Sequence, residues 1–416
     1  MDPRLRSQLG VALWGAGAFA ALLASYSAFR PVRDALMLDN NPDQVPWLFL
    51  GTFIAISVAS PVWSAILARW SRRTVVPLAY HVFAACAVGF FLLKRADIAP
   101  LTVGRAFYIW SAVFNLFVVS VLWSLFADLL GPGTARRLYG PIAAGGTVGT
   151  LVGPSLTRAL VGTIGVAGVL LMSAVLLEVA VICIYQVRRA GAGLARGTAA
   201  EADADAPAGG GAFTGIVQVA RSPYLATIVG YVLCTACAAT FIYLRQFAIV
   251  REAIRDTAAR TEYFATIDIW VAVVTLAFQT VLVRPALGWF GPGVVLAILP
   301  LTQLVGLSAL VLAPSLGALM IVQVISRSAT HGLTRPAREL LFTVVSRDDK
   351  YRAKNAIDTI AYRFGDLASS WLNAGLIAIG GGLALIGAAV PLVAIWLGCA
   401  AFLGAGFRRR VTADTP

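Results

Sequence analysis

The sequence predicts an all-α integral membrane protein with twelve transmembrane helices in two pseudo-symmetric six-helix bundles. Three observations support this prediction: the bulk composition, apolar windows that recur at membrane-spanning length, and a polar segment that divides those windows six and six. Hydrophobic residues make up 59 % of the 416 residues, charged residues make up 13 %, and the mean hydropathy is +0.81. A chain of this composition has too little polar surface to cover a soluble body of its size.

Apolar windows of about 20 residues, the length needed to cross a bilayer, recur along the whole chain. No cleavable signal pattern precedes the first window, so we expect insertion into the cell membrane without processing. We number the predicted spans 1 to 12 in chain order: 9–29, 45–68, 74–93, 103–127, 138–163, 165–187, 223–244, 262–283, 292–313, 315–334, 355–379 and 382–407.

The division into two halves rests on one polar segment and on internal repetition. Residues 188–212 are rich in Ala, Gly and Asp and have no apolar periodicity, which predicts a mobile linker. "PVRDA" at 31–35 recurs as "IVREA" at 249–253, and "ARRLYGPIAAGG" at 135–146 has a weaker counterpart in "KYRAKNAIDTIA" at 350–361. We therefore predict an N-terminal bundle over 1–187, a linker over 188–215 and a C-terminal bundle over 216–416.

The net charge of +13 comes mainly from arginine, and the arginines cluster at alternate ends of the spans. Because Lys and Arg collect in cytoplasmic loops, this places both termini and the linker in the cytoplasm of a bacterial cell, with the chain in its inner membrane. The connection between spans 7 and 8 is also basic although the same rule assigns it to the outside. One use for positive charge there is attracting an anion.

Small residues in the spans indicate packing rather than chemistry. Gly145, Gly149 and Gly153 recur every four residues in span 5, a spacing that lets two helices approach closely in lipid. His81 and His331 are too few for a metal site. The residues suggest no covalent-catalysis constellation, so we expect neither an enzyme nor a cofactor. The five cysteines also lie in apolar segments and are interpreted as packing residues: Cys86, Cys183, Cys234, Cys237 and Cys399.

Charged residues inside spans are the best functional candidates, because each is costly in lipid without a partner or a wet cavity. At the end of span 1, Arg30 and Asp34 lie one helical turn apart, and snorkelling at the interface is the alternative interpretation. Glu178 and Asp268 are predicted to be single buried acids that carry protons or pair with an arginine. Spans 10 and 11 carry stripes four residues apart, basic in one case and largely acidic in the other: Arg327, His331 and Arg335, and then Lys354, Asp358, Tyr362 and Asp366. These stripes favour either ion pairs between the two spans, with Arg327 on Asp358 or Asp366, or a substrate site.

Three blocks of sequence carry a family resemblance: "RPVRDA" at 30–35, the stretch 114–154 with "ARRLYGPIAAGGTVGTLVGP", and 326–366 with "RPARELLFTVVSRDDKYRAKNAID". In these blocks the chain resembles the ATP:ADP antiporter family, nucleotide transporters of plastids and obligate intracellular bacteria that are related to the major facilitator superfamily. The resemblance implies a major facilitator-like fold of twelve helices and the exchange of nucleotides.

The resemblance also implies site residues. It points to a basic–acid pair at Arg33 and Asp34, and to a lysine motif, Lys350 and Lys354, ahead of Asp358. The chain departs from the family pattern in having Arg33 where nucleotide exchangers have Lys. It also has no charge over residues 106–127, where only the polar Asn115 stands in place of an acid.

Arginine offers a planar fork of donors that suits phosphate or carboxylate, so the charges in the spans predict a central anion site. Helices 1, 4, 7 and 10 of a two-bundle transporter normally line its cavity. The predicted substrate-binding residues lie on these helices and on span 11: Tyr26, Arg30, Arg33, Asp34, Asn115, Arg245, Arg327, His331, Lys354 and Asp358.

We therefore predict a secondary transporter that moves an anionic, phosphorylated solute, with ATP/ADP-like nucleotide exchange among the candidates, by alternating access. Two alternatives stay open: a non-transporting scaffold or receptor with the same fold, and a transporter of anionic lipid or a lipid-linked precursor. The expected partners are the anionic small molecule and membrane lipid, without nucleic acid, and we expect the chain to be a monomer.

Overall fold

The computed structural model of the protein describes residues 3–40, 42–130, 132–191, 222–345, 357 and 361–413. Most of the predicted linker lies outside these residues. So do Lys350, Lys354 and Asp358 of the predicted lysine motif and site.

All regular structure in the described residues is helical. Eight helices of this part of the chain are long and apolar enough to cross a membrane, and three of them each contain two spans. Together with span 10, which a π-helical turn interrupts, they account for the twelve predicted spans. The α-helices cover Pro3–Met37, Val45–Arg69, Arg72–Arg95, Pro100–Leu129, Pro132–Gly191, Pro223–Ala253, Thr257–Ala277, Val283–Leu312, Leu316–Ala329, Arg335–Leu341 and Tyr362–Ala413, with π-helical turns at Phe278–Leu282 and Thr330–Thr334 and 3-10 turns at Pro42–Gln44 and Phe342–Val344.

The helix Pro132–Gly191 reverses direction at Gly165, where a φ of 69° breaks the helical backbone and favours glycine. Before this residue, contacts with span 1 advance in the same direction along both helices, so span 5 is parallel to span 1. After it, contacts with span 1 run in opposite directions, so span 6 is antiparallel. The pairs that show this are Gly145 with Ala16 and Gly153 with Ala24 before the break, and Ser173 with Ser25 and Ala190 with Ser7 after it.

The other two double helices break in the same way. Gly291 has a φ of 73° between spans 8 and 9, and Gly381 has a φ of 60° between spans 11 and 12. Span 7 contacts Gly365, before the break at Gly381, and Trp396, after it. The chain must therefore turn back between these two residues. Each break therefore joins two neighbouring spans with almost no loop.

The glycines of span 5 bring two helix backbones together, as predicted. A Cβ atom added to Gly145 or Gly149 would lie 2.2 Å from a backbone carbonyl oxygen of span 1, and one added to Gly153 would lie 2.4 Å from another. No side chain larger than hydrogen fits at these three positions without moving span 1. The cysteines are all free, and Cys183, Cys234 and Cys237 are buried, which agrees with their interpretation as packing residues.

The chain forms two compact units that do not divide at the linker alone. The first unit contains Met1–Asp205 together with Ile254–Ile269, and the second contains Ala206–Ala253 and Trp270–Pro416. The first has a core of buried aliphatic and aromatic side chains from spans 1 and 3 to 6, and the second has its own core around Tyr231 and Trp396. The start of span 8 therefore belongs to the first unit, although it follows the linker in sequence.

Candidate functional site

Span 1 carries its charged residues inside the helix. The predicted span 1 ends at residue 29, but the helix continues through Pro31 to Met37. Proline removes one backbone N–H, and here packing maintains the helix around it. The hydroxyl of Thr157 in span 5 donates a hydrogen bond to the carbonyl of Ala28 at 2.8 Å, one turn before the proline. As a result, Arg30 and Arg33 project from a regular helix.

Arg33 and Asp34 form a buried ion pair. The Nε and Nη2 atoms of Arg33 both donate to Oδ1 of Asp34, at 2.9 and 2.7 Å, and the two side chains are 14 % and 7 % exposed. The guanidinium carbon also lies 5.4 Å from the ring centroid of Tyr108 in span 4. Two donors, one carboxylate and an aromatic face thus hold the Arg33 guanidinium in place.

Arg30 is held much more loosely. Its Nη1 lies 3.8 Å from Oδ1 of Asp268, a distance that permits attraction between charges but exceeds that of a hydrogen bond. The Arg30 side chain is 26 % exposed and that of Asp268 is 9 % exposed. Asp268 was predicted to be a buried acid able to pair with an arginine, and the structure confirms this. The Arg30 fork therefore has donors to offer to a further acceptor.

The predicted site residues Tyr26 and Asn115 lie beside an aromatic wall between spans 1 and 4. The Tyr26 ring packs edge-on against Phe29, with centroids 5.5 Å apart, and lies 6.2 Å from Phe114. Asn115 follows Phe114 and is half-buried. In the described part of the chain, its amide makes no hydrogen bond. Tyr26, Arg30, Arg33 and Asp34 thus share span 1, and Asn115 lies on span 4, whose Phe114 contacts Tyr26.

Two further ion pairs connect the segment Ile254–Ile269 to the rest of the first unit. Nη1 of Arg260 lies 3.0 Å from Oδ1 of Asp39, while its Nε donates to the carbonyl of Ile254 at 2.7 Å. The Arg260 side chain is only 8 % exposed. Arg158 and Glu262 approach to 3.9 Å at a much more exposed position. Because the ion pair of Arg30 with Asp268 joins the same segment, three arginine–acid pairs connect it to spans 1 and 5 and to the residues after span 1.

In the described part of the second unit, polar contacts connect span 7 to spans 9 and 10. The Nε of Arg245 donates to the carbonyl of Leu310 at 3.2 Å, so part of its fork is used by the backbone of span 9. Gln323 of span 10 donates to Gln246 of span 7, and both are buried. An amide pair of this kind connects the two spans through a neutral hydrogen bond.

Spans 8 and 10 meet through their two π-helical turns. Gln279 donates its side-chain amide to the carbonyl of His331 at 3.3 Å, and a Cβ on Gly332 would lie 2.7 Å from that of Phe278. His331 is therefore part of a local widening of span 10, a feature often found at functional sites. Arg327 lies just before this turn, is half-buried and has a polar or charged partner.

Asp366 of span 11 contacts an arginine and a hydroxyl group. Its Oδ2 lies 3.5 Å from Nη1 of Arg363, and its Oδ1 accepts from the hydroxyl of Thr240 at 3.4 Å. Asp366 therefore pairs with Arg363 and not with Arg327, so that alternative for Arg327 is wrong. The alternative in which Arg327 pairs with Asp358 lies outside the described residues and stays a prediction.

Sequence reasoning missed the role of the connection between spans 7 and 8. We assigned its positive charge to anion attraction, but Arg260 is paired with Asp39. The only signal for this pair in the sequence was that the connection after span 1 carries an acid and the connection after span 7 carries arginines. Glu178 was predicted to be buried, which is wrong: its side chain is 45 % exposed and lies 3.0 Å from His81. The span is apolar on all sides, so its sequence does not mark the face that turns outward.

Comparison with known proteins supports the family resemblance in one part of the chain. Residues 295–407 match the family model described as TLC ATP/ADP transporter. This range includes the whole third resembling block at 326–366, whereas the blocks at 30–35 and 114–154 lie outside it. No curated protein matches the sequence significantly.

Solved transporter structures share the fold of nearly the whole chain. A mutant of the nucleoside transporter NupG superposes with a TM-score of 0.66 at 11 % identity and covers 96 % of this chain and 99 % of its own. A bacterial homologue of the iron transporter ferroportin, in an inward-facing state, gives 0.61 at 13 % identity, covering 98 % of both chains. A bacterial homologue of the lysosomal transporter Spinster gives 0.56 at 15 % identity, covering 99 % and 98 %.

Identities this low show the fold alone, and the fold agrees with the prediction from sequence. Together with the match at 295–407, it supports a multi-pass membrane protein of the secondary transporter class. The chain therefore has a major facilitator-like fold and resembles the ATP:ADP antiporter family over residues 295–407.

Proposed function

We propose that this protein is a secondary transporter for an anionic, phosphorylated solute and that it works by alternating access. The observation that carries the proposal is Arg30, an arginine inside a membrane-spanning helix whose ion partner lies 3.8 Å away. A charge at this depth is costly unless it has a use. Its forked donors suit the oxygens of a phosphate or carboxylate group.

The surroundings of Arg30 favour an anion with an attached ring or other apolar part. Arg33, one helical turn away, is held in a fixed position by Asp34 and Tyr108, and its charge is compensated by that carboxylate. Tyr26 and the aromatic side chains that pack against it offer an aromatic surface on the same span as the two arginines. A nucleotide has both parts, a phosphate for the arginines and a base for the rings.

Alternating access requires contacts that form in one state and break in another. The pair formed by Arg30 and Asp268 suits this role, because an anion that binds Arg30 competes with Asp268 for the same guanidinium. Loss of that contact would remove one of the three arginine–acid pairs described above between this segment and the rest of the first unit. Substrate binding would thus weaken the attachment of this segment to span 1.

The first experiment is a ligand screen on the purified full-length protein. Nucleotides, sugar phosphates and anionic lipids would be added singly, and the unfolding temperature measured. A ligand that binds the folded protein raises this temperature by mass action. The best ligand would then be tested for uptake into proteoliposomes loaded with the same compound or with buffer.

Arginine variants test the site. One charge-assisted contact is worth roughly 1.5–3 kcal/mol, so Arg30→Gln and Arg33→Gln should each weaken binding of that ligand about ten- to a hundredfold. Arg33→Lys should lose less, since it keeps the charge without the fork. Arg408→Gln, at the exposed end of the last helix, is the matched control.

Two outcomes contradict the proposal. If both glutamine variants bind the ligand as the wild type does, the arginines only anchor the helix at the interface. If an anionic lipid is the sole ligand and exchange between vesicles is absent, the protein acts on lipid and not on a soluble phosphorylated solute.

A further inference from the structure

His81 of span 3 and Glu178 of span 6 form a polar pair on the outer face of the first unit. Nδ1 of His81 lies 3.0 Å from Oε1 of Glu178. The two side chains are 44 % and 45 % exposed, which is unusual for charged residue types inside membrane spans. The transport mechanism proposed above makes no use of them.

The pair lies near the middle of the membrane. His81 is nine residues from Arg72, where its helix begins, and Glu178 is ten residues before Arg188. At a rise of 1.5 Å per residue these distances are about 14 and 15 Å. Both basic ends lie on the predicted cytoplasmic side, so the two side chains have the same depth, about half of a hydrocarbon core of ~30 Å.

The surface around the pair is apolar. Exposed aliphatic and aromatic side chains surround it on both helices, as expected where a protein faces acyl chains. They are Leu78, Val82, Val175, Val179, Ile182 and Tyr185. A polar pair within such a face has no water to satisfy its hydrogen-bonding atoms.

The pair satisfies only half of its own hydrogen-bonding capacity. Nε2 of His81 and Oε2 of Glu178 have no partner in the described part of the chain. A histidine ring nitrogen and a carboxylate oxygen are complementary, so the unsatisfied atoms of one copy match those of another.

Span 3 also leaves room for a neighbour on this face. Ala85 and Gly89 follow His81 at intervals of four residues, on the same side of the helix. Ala85 is exposed, and a Cβ added to Gly89 would meet nothing within 4 Å. Small residues at this spacing allow a second helix to approach closely in lipid.

We infer that the face of spans 3 and 6 centred on His81 and Glu178 is a dimer interface that binds a second copy of this chain. A two-fold axis along the membrane normal keeps both copies at the same depth. Around that axis, His81 of each copy faces Glu178 of the other, which gives two symmetric polar contacts in an isologous interface. This inference replaces the expectation of a monomer, and it does not depend on the proposed function.

The first test measures association of the full-length protein in liposomes. The dimer fraction would be obtained by single-molecule photobleaching over a range of protein-to-lipid ratios. Replacing both residues, His81→Leu with Glu178→Leu, should weaken association by roughly ten- to a hundredfold, since two interhelical polar contacts are lost. This variant faces lipid with aliphatic side chains, so the fold of each copy should be retained, as an unchanged unfolding temperature would verify.

The matched control exchanges the two residues. His81→Glu combined with Glu178→His keeps one acid and one histidine on each copy. The association constant of this variant should therefore stay within about threefold of the wild-type value. Loss of one contact of 1.4 kcal/mol would lower that constant tenfold. Equal association of the leucine variant and the wild type would show that the pair does not hold the copies together, and it would overturn the inference.

Cross-linking locates the interface. In a background without the five native cysteines, Ala85→Cys should form a disulfide between copies at least tenfold faster than Leu383→Cys, which is exposed on span 12. Equal rates would place the contact elsewhere and refute the inference. If the wild type stays monomeric at every ratio, or if a lipid or another protein occupies this face instead, the inference is wrong.

Discussion

The two copies of the Val-Arg-acid-Ala repeat lie in different environments. In the first copy Asp34 is 5 % exposed and binds Arg33, whereas in the second Glu252 is exposed at the end of its helix. Arg30 of the first copy corresponds to Ala248 in the second. The repeat preserved the local sequence, but the charges of the first copy lie against span 4 and the segment Ile254–Ile269.

The same asymmetry appears in the helix packing. Span 5 crosses span 1 with three glycines against backbone, whereas the matching positions of span 11 are Ala361, Gly365 and Ser369. A Cβ on Gly365 would meet the Cβ of Ala236 at 2.9 Å, a side-chain atom. At these matched positions the helix backbones therefore pack more closely in the first unit than in the second.

The largest expected difference concerns the two acids of the repeat. Asp34→Asn removes the carboxylate charge that accepts both hydrogen bonds from the half-buried Arg33, which should lower the free energy of unfolding by about 3 kcal/mol. Glu252→Gln, at an exposed position, should change it by less than about 0.5 kcal/mol. Thermal and denaturant unfolding of both variants in detergent would measure this. Equal losses would mean that the two copies are equivalent after all.

The glycine positions should show the next largest difference. Gly149→Ala places a methyl group against a backbone oxygen and should cost about 1–3 kcal/mol or more by overpacking. Gly365→Ala should cost less, because its neighbour is a side-chain methyl. Gly162→Ala, with nothing within 4 Å, is the control and should be neutral. The folded yield and unfolding temperature decide the order, and a stable Gly149→Ala protein would contradict the packing.

The neutral amide pair of the second unit, Gln246 and Gln323, should tolerate apolar replacement of both partners. Gln323→Leu leaves the amide of Gln246 unsatisfied, at a cost of about 1–2 kcal/mol. Adding Gln246→Leu removes that group as well and should restore most of the loss, with a coupling of roughly 0.6–2 kcal/mol. If the double variant loses as much stability as the two single variants together, the hydrogen bond between the two amides is not the cause of the loss in Gln323→Leu.

The smallest effect is expected at the exposed pair of Arg158 and Glu262. Arg158→Gln should lower the stability by no more than about 1 kcal/mol, since both side chains are more than half exposed. Arg260→Gln, which loses contacts to Asp39 and to the Ile254 carbonyl, should cost clearly more. Unfolding temperatures of the two variants test this ranking within one segment, and the reverse order would contradict it.

Much of the fold was accessible from sequence because bilayer thickness sets the length of each apolar window. The glycine stripe of span 5 was equally accessible, since its spacing alone places it on one helix face. The partner of Arg30 was not, because Asp268 lies 238 residues away and no periodicity connects them. The continuation of span 1 through Pro31 was also missed, because tertiary contacts hold the helix there against a local preference.

The candidate site was predictable in residue type more than in arrangement. Costly charges in spans 1 and 8 drew attention to Arg30, Arg33, Asp34 and Asp268. Which arginine would be held firmly and which loosely depended on neighbours such as Tyr108. The exposed position of Glu178 depended on the rotation of a helix that is apolar all round.

The glycine breaks at Gly165, Gly291 and Gly381 have a consequence for how the chain enters the membrane. Two spans joined by one or two residues have too short a connection for the first to enter the bilayer while the second is still outside it. Spans 5 and 6, 8 and 9, and 11 and 12 must therefore be inserted during biosynthesis as preassembled helical hairpins. A reporter or protease site placed at such a break would interrupt insertion itself, whereas the longer connection after span 1 could carry one.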